Sequence, residues 1–308
     1  MPESKPNFRP DLSSAEWTRT PYVFDRVAPA LSRLQMGGTM NYTPWTSRGS
    51  ATTNRNKYDS HTRSHMGSAS TTYVCSEKTS TKDMAQQDVV QSYATLMHAE
   101  LAMAAAGKDE VNTAIENILA TALLQDAIDI TTSENLPGDI ESYVFDLADK
   151  VPNAKIALVM STRLFTRLKG VAAIQERMKN IGIAIGEGGD PRNVTAAQMA
   201  AVLGVDEVIL GKTGSWGAGK AVLVALPTAE KQPNEEVQLA RTVVYRYDAT
   251  AGIPFECTSW FDNDTDTHCV KSKTYADVLV LNAALKVAFQ IFEEDESESG
   301  SDSGSASA

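Results

Sequence analysis

The sequence predicts an α+β protein. Helical patterns gather in the middle of the 308-residue chain and strand patterns gather at both ends, without the strict alternation that a doubly wound sheet requires. A chain of this length buries about three quarters of its unfolded surface, so it needs neither disulfides nor a structural metal to fold. One large domain or two modest ones are expected.

The first 35 residues predict an extended arm. They mix proline, charge and isolated aromatic residues without a sustained helical or strand period, apart from a short apolar stretch at 27–34. A segment of this kind is expected to lie on another surface and not to form a packed subdomain.

Residues 36–72 predict a long two-stranded β-ribbon. Of these 37 residues, 14 are Ser or Thr, one is acidic and none is Val, Ile or Leu, so the stretch cannot form a core of its own. Its basic residues are Arg48, Arg55, Lys57 and Arg63. The threonines and the aromatic residues Tyr42 and Trp45 suit paired strands. Because an isolated ribbon is only marginally stable, this one implies a neighbouring molecule.

The middle of the chain predicts helices. Val90, Met97 and Leu101 follow helical spacing until Gly107, which is expected to end this segment. A second segment at about 109–129 has apolar residues on one face and predicts a long amphipathic helix. Shorter helices are predicted at about 140–147, 161–170 and 195–204, with strands at 155–160 and 208–210.

Strand patterns dominate the C-terminal third. They fall at 221–226, 242–247, 255–260, 268–271 and 278–289. The last block, 293–308, is acidic and rich in Ser and Gly, with no apolar side chain larger than Ala. We expect it to be a disordered tail, because it cannot bury enough surface to offset the entropy of ordering.

The charge is unevenly distributed along the chain. The net charge of −11 divides into +5 for residues 1–82, −10 for 83–292 and −6 for 293–308. This acidity argues against sequence-specific recognition of nucleic acid, which normally requires a basic patch. We expect a cytoplasmic product with reduced thiols, because the N-terminus lacks an apolar signal core, no run approaches about 20 apolar residues, and three cysteines are widely scattered.

The glycine-rich run 214–220 is the nearest match to a nucleotide-binding motif. In the motif G-x-x-x-x-G-K-[ST], backbone amides cradle phosphate, and the final hydroxyl binds magnesium. Here Ala221 stands in place of that hydroxyl, and the residues after Lys220 predict a strand where the motif needs a helix. We therefore interpret the run as a structural loop between strands.

The histidines predict no metal or catalytic site. His61 and His65 are four residues apart but lack nearby groups to complete a zinc site. His98 lies in an apolar helical segment and is interpreted as a packed or interfacial histidine. The sequence has no G-x-S-x-G elbow for a nucleophilic serine. We expect a protein that is not an enzyme and that carries no cofactor.

These parts are typical of an assembly subunit, whose extended elements gain burial from neighbouring molecules. In their order they resemble the major capsid protein of tailed bacteriophages with the Hong Kong 97 capsid fold. The resembling segments are YVFDRVAPAL at 22–31, the ribbon ending in STTYVCSE at 70–77, the helix at 109–129, LPGDIESYVFDLADKVPNAKIALVMSTRLFTRLK at 136–169, the stretch from TAAQMAAVLG to AVLVALP at 195–227, and the stretch from YRYD to KVAF at 245–289. Together they cover about residues 20–292.

The resemblance implies a domain order. It implies an N-terminal arm (1–35), an extended β-ribbon or E-loop (36–72), a peripheral domain (73–165) with a spine helix at about 109–129, an axial domain (166–275), a return to the peripheral domain (276–292) and the disordered acidic tail (293–308). It also implies a structural protein whose hexamers and pentamers form the icosahedral head shell of a virion, assembled in the host cytoplasm around double-stranded DNA.

The resemblance further implies the partners. These are other copies of the chain, a separate scaffolding protein, a portal, a possible decoration protein and packaged DNA that is enclosed without sequence-specific recognition; no membrane is involved. We expect the contacts between subunits to include Arg48, Arg55, Lys57, Arg63, Tyr42 and Trp45, with the basic ribbon meeting the acidic body of the next subunit. Two alternatives stay open, an encapsulin-type compartment shell and a P-loop enzyme that binds nucleotide through Lys220.

Overall fold

The chain divides into two compact units. The computed structural model describes residues 7–14, 22–45, 68–93, 95–131, 135–151, 154–182, 194–227, 236–245 and 254–293. The first unit comprises Met1–Leu119 and Pro227–Ala284, and the second comprises Ala120–Leu226 and Leu285–Ala308. Each unit has its own mixed sheet with helices, which confirms the α+β class.

The elements are numbered in chain order. The strands are β1 (Asn7–Phe8), β2 (Ala30–Arg33), β3 (Gly37–Tyr42), β4 (Ala69–Val74), β5 (Ser76–Ala85), β6 (Ile128–Asp129), β7 (Ile156–Ser161), β8 (Glu207–Gly211), β9 (Lys220–Ala225), β10 (Ala240–Tyr245), β11 (Glu256–Asp262), β12 (Thr267–Val280) and β13 (Lys286–Gln290). The helices are α1 (Pro10–Ser14), α2 (Val23–Val27), α3 (Gln86–Ser92), α4 (Leu96–Leu123), α5 (Leu136–Lys150), α6 (Thr162–Lys169), α7 (Ala172–Asn180), α8 (Ala196–Leu203) and α9 (Thr213–Trp216).

The long strand β12 organises the sheet of the first unit. Strand order is β1-β11-β12-β10-β2, and β5 pairs with β12. All three partners of β12 run antiparallel to it, and β2 lies parallel to β10. Strands β3 and β4 form a separate antiparallel ribbon.

Helix α4 is longer than predicted and begins earlier. It runs through Gly107 without a break, whereas the sequence led us to expect a stop there and a separate helix at 109–129. A Cβ atom on Gly107 would lie 3.0 Å from Oγ of Ser272 in β12. The glycine therefore permits close packing between helix and sheet and does not end the helix.

The N-terminal segment packs within its own unit at residues 7–14 and 22–33, where the sequence led us to expect an extended arm. Strand β1 pairs with β11, and β2 pairs with β10. Leu12, Phe24 and Val27 are at most 1 % exposed. The sequence shows no helical period for these apolar residues, because each helix of the segment has only five residues.

The second unit is built on a five-stranded sheet in the order β6-β13-β9-β7-β8. All six residues of β7 are buried, as expected for a central strand between covered faces. Ser161 caps α6 by accepting a hydrogen bond from the Leu164 amide at 3.0 Å, and Thr195 caps α8 in a capping box with Gln198. The predicted helices at 161–170 and 195–204 are confirmed.

Most predicted strands are found within two residues of their expected bounds, as β7 to β11 show. The pattern at 268–271 belongs to the much longer β12, and the run 278–289 contains the end of β12, a 3₁₀ turn and β13. Strand β5 was not expected, because its residues are almost all polar. Residues 46–67 of the ribbon and 294–308 of the acidic tail lie outside the described residues.

The two compact units divide the chain differently from the domain boundaries that the resemblance implied. Strands β10 to β12, assigned by sequence mainly to the axial domain, belong to the sheet of the first unit because β12 pairs with β5. Helix α5 and strand β7, assigned by sequence to the peripheral domain, belong to the second unit because β7 pairs with β8 and β9. None of the helices in the described ranges is both long and apolar enough to cross a membrane.

Candidate assembly surface

The foot of the β3–β4 ribbon is fixed in the core of the first unit. The two strands pair from Gly37 opposite Val74 to Tyr42 opposite Ala69. On one face of the ribbon, Met40 and Tyr73 are buried. They join a cluster with Leu31, Cys75, Val243 and Leu281. The part of the ribbon that the structure describes is therefore anchored and not free to swing.

Asn282 holds the segment that leaves β3. Its side-chain amide donates to the carbonyl oxygens of Thr43 at 3.2 Å and Gln238 at 2.6 Å. Its Oδ1 accepts a hydrogen bond from the backbone amide of Trp45 at 2.6 Å. Asn282 is only 7 % exposed, so these bonds replace the water that its amide would otherwise bind. The chain therefore enters residues 46–67 from a fixed position.

The structure places two of the six predicted contact residues. Tyr42 is half-buried against the cluster at the ribbon foot, and Trp45 is half-buried and bonded to Asn282 through its backbone. Arg48, Arg55, Lys57 and Arg63 lie outside the described residues. Sequence reasoning missed Asn282, because one asparagine between two apolar runs has no recognisable pattern.

Exposed apolar side chains surround the ribbon foot. Leu34 is 74 % exposed, Val74 is 68 % exposed and Met36 is 43 % exposed. Leu34 also lines a groove of about 770 Å³ that extends along β2 and β3 to Tyr73. Exposed apolar residues gathered in one place are typical of surfaces that bind other proteins.

The sheet of the first unit carries paired charges next to β5. Lys271 lies 3.0 Å from Glu77, and Lys273 lies 2.8 Å from Glu256. The hydrogen bond from Lys271 lowers the pKa of the Glu77 carboxyl, and the bond to Glu256 raises the pKa of Lys273. In each pair, a basic and an acidic side chain of the same chain balance each other.

The three cysteines of the chain are buried, and none of them forms a disulfide. Cys75 lies in the cluster at the ribbon foot, where burial, with a smaller effect from Asp277, raises the pKa of its thiol to about 11. A thiol with this pKa is a poor nucleophile at neutral pH. Cys75 therefore acts as a packing residue.

The glycine-rich run 214–220 forms a structural loop, as its sequence indicated. It contains the one-turn helix α9 and then enters β9, so no helix follows Lys220. The carbonyl oxygen of Gly219 accepts hydrogen bonds from the amides of Ile291 at 2.8 Å and Phe292 at 3.1 Å. Trp216 is fully buried. The P-loop alternative is wrong for this geometry, because the motif requires a helix N-terminus after the glycines.

Among the residues that the structure describes, no group of three or more His, Cys, Asp or Glu side chains could hold a metal ion. The His268 ring is hydrogen-bonded through Nε2 to the side-chain oxygen of Gln86. His98 is exposed, so it is not a packed histidine. His61 and His65 lie outside the described residues.

Comparison with known proteins gives matches to solved structures but none by sequence. No family model and no curated protein matches the sequence. A phage-related protein from Bordetella bronchiseptica is 13 % identical, with a TM-score of 0.61 over 92 % of this chain and 96 % of that chain. The capsid of cyanophage P-SCSP1u is 11 % identical, with a TM-score of 0.53 over 90 % of each chain. The chain has the Hong Kong 97 capsid fold.

A third similar structure agrees with this assignment. The mature capsid of bacteriophage PhiM1 is 11 % identical, with a TM-score of 0.52 over 90 % of this chain and 89 % of that chain. The Hong Kong 97 fold expected from the sequence is thus confirmed, since about nine tenths of the chain is covered in each comparison. The shared fold exists at identities too low for a sequence match.

Proposed function

We propose that the chain is the major capsid protein of a tailed phage and forms the icosahedral shell of the head. The observation that carries this proposal is the Hong Kong 97 fold, which covers nearly the whole chain and nearly the whole length of the compared capsid proteins. The ribbon supports it independently. Its foot is fixed by Asn282 and a buried cluster, and exposed apolar residues surround it, as expected for a projecting element that binds a neighbour.

The two units correspond to the two domains of the shell subunit. We assign the first unit to the peripheral domain, with α4 as its spine helix and β3–β4 as the foot of the E-loop. The second unit is the axial domain, whose copies meet around the axes of hexamers and pentamers. In this assignment the peripheral domain includes β10 to β12.

The charge distribution fits a shell that encloses DNA without reading its sequence. The body of the chain carries −10 and the tail −6, whereas residues 36–72 carry four basic residues and one acidic residue. Opposite charges on the ribbon and on the body favour contacts between subunits. The further partners in this proposal are a scaffolding protein, a portal and a decoration protein, and the finished protein resides in the virion.

Expression followed by sedimentation tests the proposal. The chain is produced alone and together with the products of neighbouring genes, and each lysate is separated on a density gradient. A uniform, fast-sedimenting particle is expected in at least one of the two preparations. A chain that remains monomeric or dimeric in both would contradict a capsid function.

The contents of the particle distinguish a phage head from an encapsulin-type compartment. Double-stranded DNA in particles made with the packaging partners supports the phage head. A specific co-purifying enzyme in place of nucleic acid would instead show a protein compartment built on the same fold.

A further inference from the structure

Strand β5 forms an edge of the sheet in the first unit. Its ten residues pair with β12 on one side, from Ser76 opposite Ala276 to Ala85 opposite Thr267. Within the described ranges, no strand pairs with its other side. An edge of this length offers a row of backbone donors and acceptors to another strand.

The hydrogen-bond register shows which residues face outward. The amide of Gln86 donates to the carbonyl oxygen of Asp266 at 3.0 Å, and this pair continues the β5–β12 register. In an antiparallel ladder, alternate residues bond to the same partner, so the even-numbered residues of β5 bond to β12. The odd-numbered residues, from Glu77 to Ala85, therefore direct their amides and carbonyls away from the sheet.

Strand β3 occupies the same edge only up to Cys75. The Cys75 amide donates to the carbonyl oxygen of Met36 at 2.7 Å. In the preceding strand β4, the odd-numbered residues therefore form their backbone hydrogen bonds with β3. Beyond this point the edge stays open along the length of β5. The side chains of the outward-directed residues are all exposed: Glu77, Thr79, Thr81, Asp83 and Ala85.

Two of the four charged side chains of β5 are paired with groups of the same chain. Lys82 forms an ion pair with Glu110, and Glu77 forms one with Lys271. Edge strands are commonly protected by lysines that extend into the path of an incoming strand. Here the ion pair holds Lys82 against Glu110, so this lysine does not guard the edge.

We propose that two copies of the chain pair along this edge as antiparallel strands, related by a twofold axis at Thr81. This contact is a separate proposal from the capsid function. It is inferred from the register and the charges of β5, and it does not require a closed shell. A twofold interface uses the same surface on both copies, so β5 must be compatible with itself.

The open length and the charges of β5 together select one register. The outward-directed residues 77–85 are centred on Thr81, whereas an axis at Thr79 would bring Asp83 opposite Cys75, where the chain entering β3 already occupies the edge. With the axis at Thr81, no like charges lie directly opposite each other. The cross-strand pairs are Thr81 with Thr81, Thr79 with Asp83, Glu77 with Ala85, Lys78 with Met84, and Ser80 with Lys82. Moving the axis to Ser80 places Lys78 opposite Lys82, and moving it to Lys82 places Lys82 opposite itself. Like charges directly opposite each other are destabilising, whereas paired threonines are stabilising.

Cysteine cross-linking tests the register. At the axis, the two Thr81 Cα atoms are expected to lie about 5.5 Å apart, within the span of about 4.4–6.8 Å that a disulfide bridges. The Thr81→Cys variant is therefore expected to give a covalent dimer under mild oxidation or with a short bifunctional thiol reagent. The matched control is Thr79→Cys, whose two copies lie about 13 Å apart along the strands and should stay uncross-linked. The natural cysteines are buried and contribute little background.

The outcomes separate this contact from the proposed function. A dimer from Thr81→Cys alone supports the pairing, even where no shell forms. Shells in which neither variant is cross-linked, or in which both are cross-linked equally, overturn the pairing and leave the capsid function standing.

Hydrogen exchange on the unmodified chain covers the case in which a variant fails to fold. The amides of Thr79, Thr81 and Asp83 should exchange rapidly in the dilute monomer and slowly in the associated protein. Unchanged exchange at these positions after association would overturn the pairing.

Discussion

The Nζ atom of Lys108 lies 2.7 Å from the carbonyl oxygen of Leu12 in the interior of the first unit. Lys108 is only 2 % exposed. It belongs to a row of buried polar residues at multiples of four residues along one side of α4: Glu100, Lys108, Asn112 and Glu116. Two of them bind the N-terminal segment as Lys108 does, since Arg9 bonds Glu100 at 2.7 Å and the Val23 amide bonds Glu116 at 3.0 Å. The segment is thus held on α4 by polar bonds as well as by apolar packing.

The buried ammonium of Lys108 should make stability depend on pH. Burial lowers the pKa of Lys108 below its ordinary value of 10.5. Between the lowered pKa and 10.5, the unfolded state binds more protons than the folded state, so the free energy of unfolding should rise with pH across this window. In Lys108→Met this contribution should be lost, so the difference in free energy of unfolding between the two proteins should change with pH. Denaturant unfolding between about pH 7 and about pH 10 measures it, and a pH-independent difference between the two proteins would contradict the prediction.

The bond between Arg9 and Glu100 should stabilise the docked N-terminal segment. Glu100→Gln should lower the free energy of unfolding by about 1–2 kcal/mol, less than for a fully buried pair because the Arg9 side chain is 28 % exposed. Asp11→Asn, at the exposed partner of Arg9, serves as the control and should have a much smaller effect. Equal losses in the two variants, by chemical denaturation, would show that the buried bond has no special role.

Asn282 should determine whether the ribbon leaves the sheet in a fixed position. Asn282→Ala removes three hydrogen bonds in a buried site and should lower the free energy of unfolding by about 2 kcal/mol or more. Exchange of the Trp45 amide hydrogen, which donates to Asn282, should become faster in the same variant. The control is Asn41→Ala on the neighbouring strand β3, where the side chain is exposed. Unchanged exchange of the Trp45 amide in Asn282→Ala would contradict this role.

Two glycines of the run 214–220 should respond differently to alanine. A Cβ atom at Gly219 would lie 2.2 Å from the carbonyl oxygen of Phe292, so Gly219→Ala should lower the free energy of unfolding by about 2–3 kcal/mol. At Gly214 a Cβ atom would meet nothing within 4 Å, and Gly214→Ala should be tolerated. Thermal unfolding of both variants measures this. Equal tolerance of the two variants would show that the close approach of Gly219 to Phe292 does not constrain the loop.

Reversing the four basic charges of the ribbon should block or weaken assembly. The variant replaces Arg48, Arg55, Lys57 and Arg63 with Glu, and it should leave the monomer folded because the segment has no large aliphatic residues with which to form a core. In the control, each Arg becomes Lys and Lys57 becomes Arg, so the charge is kept. Circular dichroism reports folding, and sedimentation reports the particle yield. An unchanged yield from the charge-reversed variant would refute the role of these residues.

Elements with an apolar period could be predicted from the sequence, and those without one could not. Strand β7 and helices α6 and α8 were predicted because their apolar residues and caps are contiguous in the chain. Strand β5 was missed because it contains almost no apolar residue and is stabilised by its register with β12. Its threonines, Thr79 and Thr81, were the available signal.

Packing partners explain the two larger differences. Gly107 was interpreted as a helix stop, but it lies where α4 meets Ser272, and no local pattern encodes a contact with a residue so distant in the chain. The N-terminal segment was predicted to be an arm because its anchors, Arg9 and Leu12, bind residues about 90 positions later in the chain. The candidate surface was predictable only in part, since Tyr42 and Trp45 are conspicuous aromatics and Asn282 is not.

A three-dimensional reconstruction of the purified particles by electron cryomicroscopy is the most direct test of the capsid function. We expect icosahedral symmetry, with the second unit around the hexamer and pentamer axes and the ribbon extending from the foot at Asn282 onto a neighbouring subunit. A closed ring without icosahedral symmetry, or a shell in which the ribbon folds back on its own chain, would contradict it.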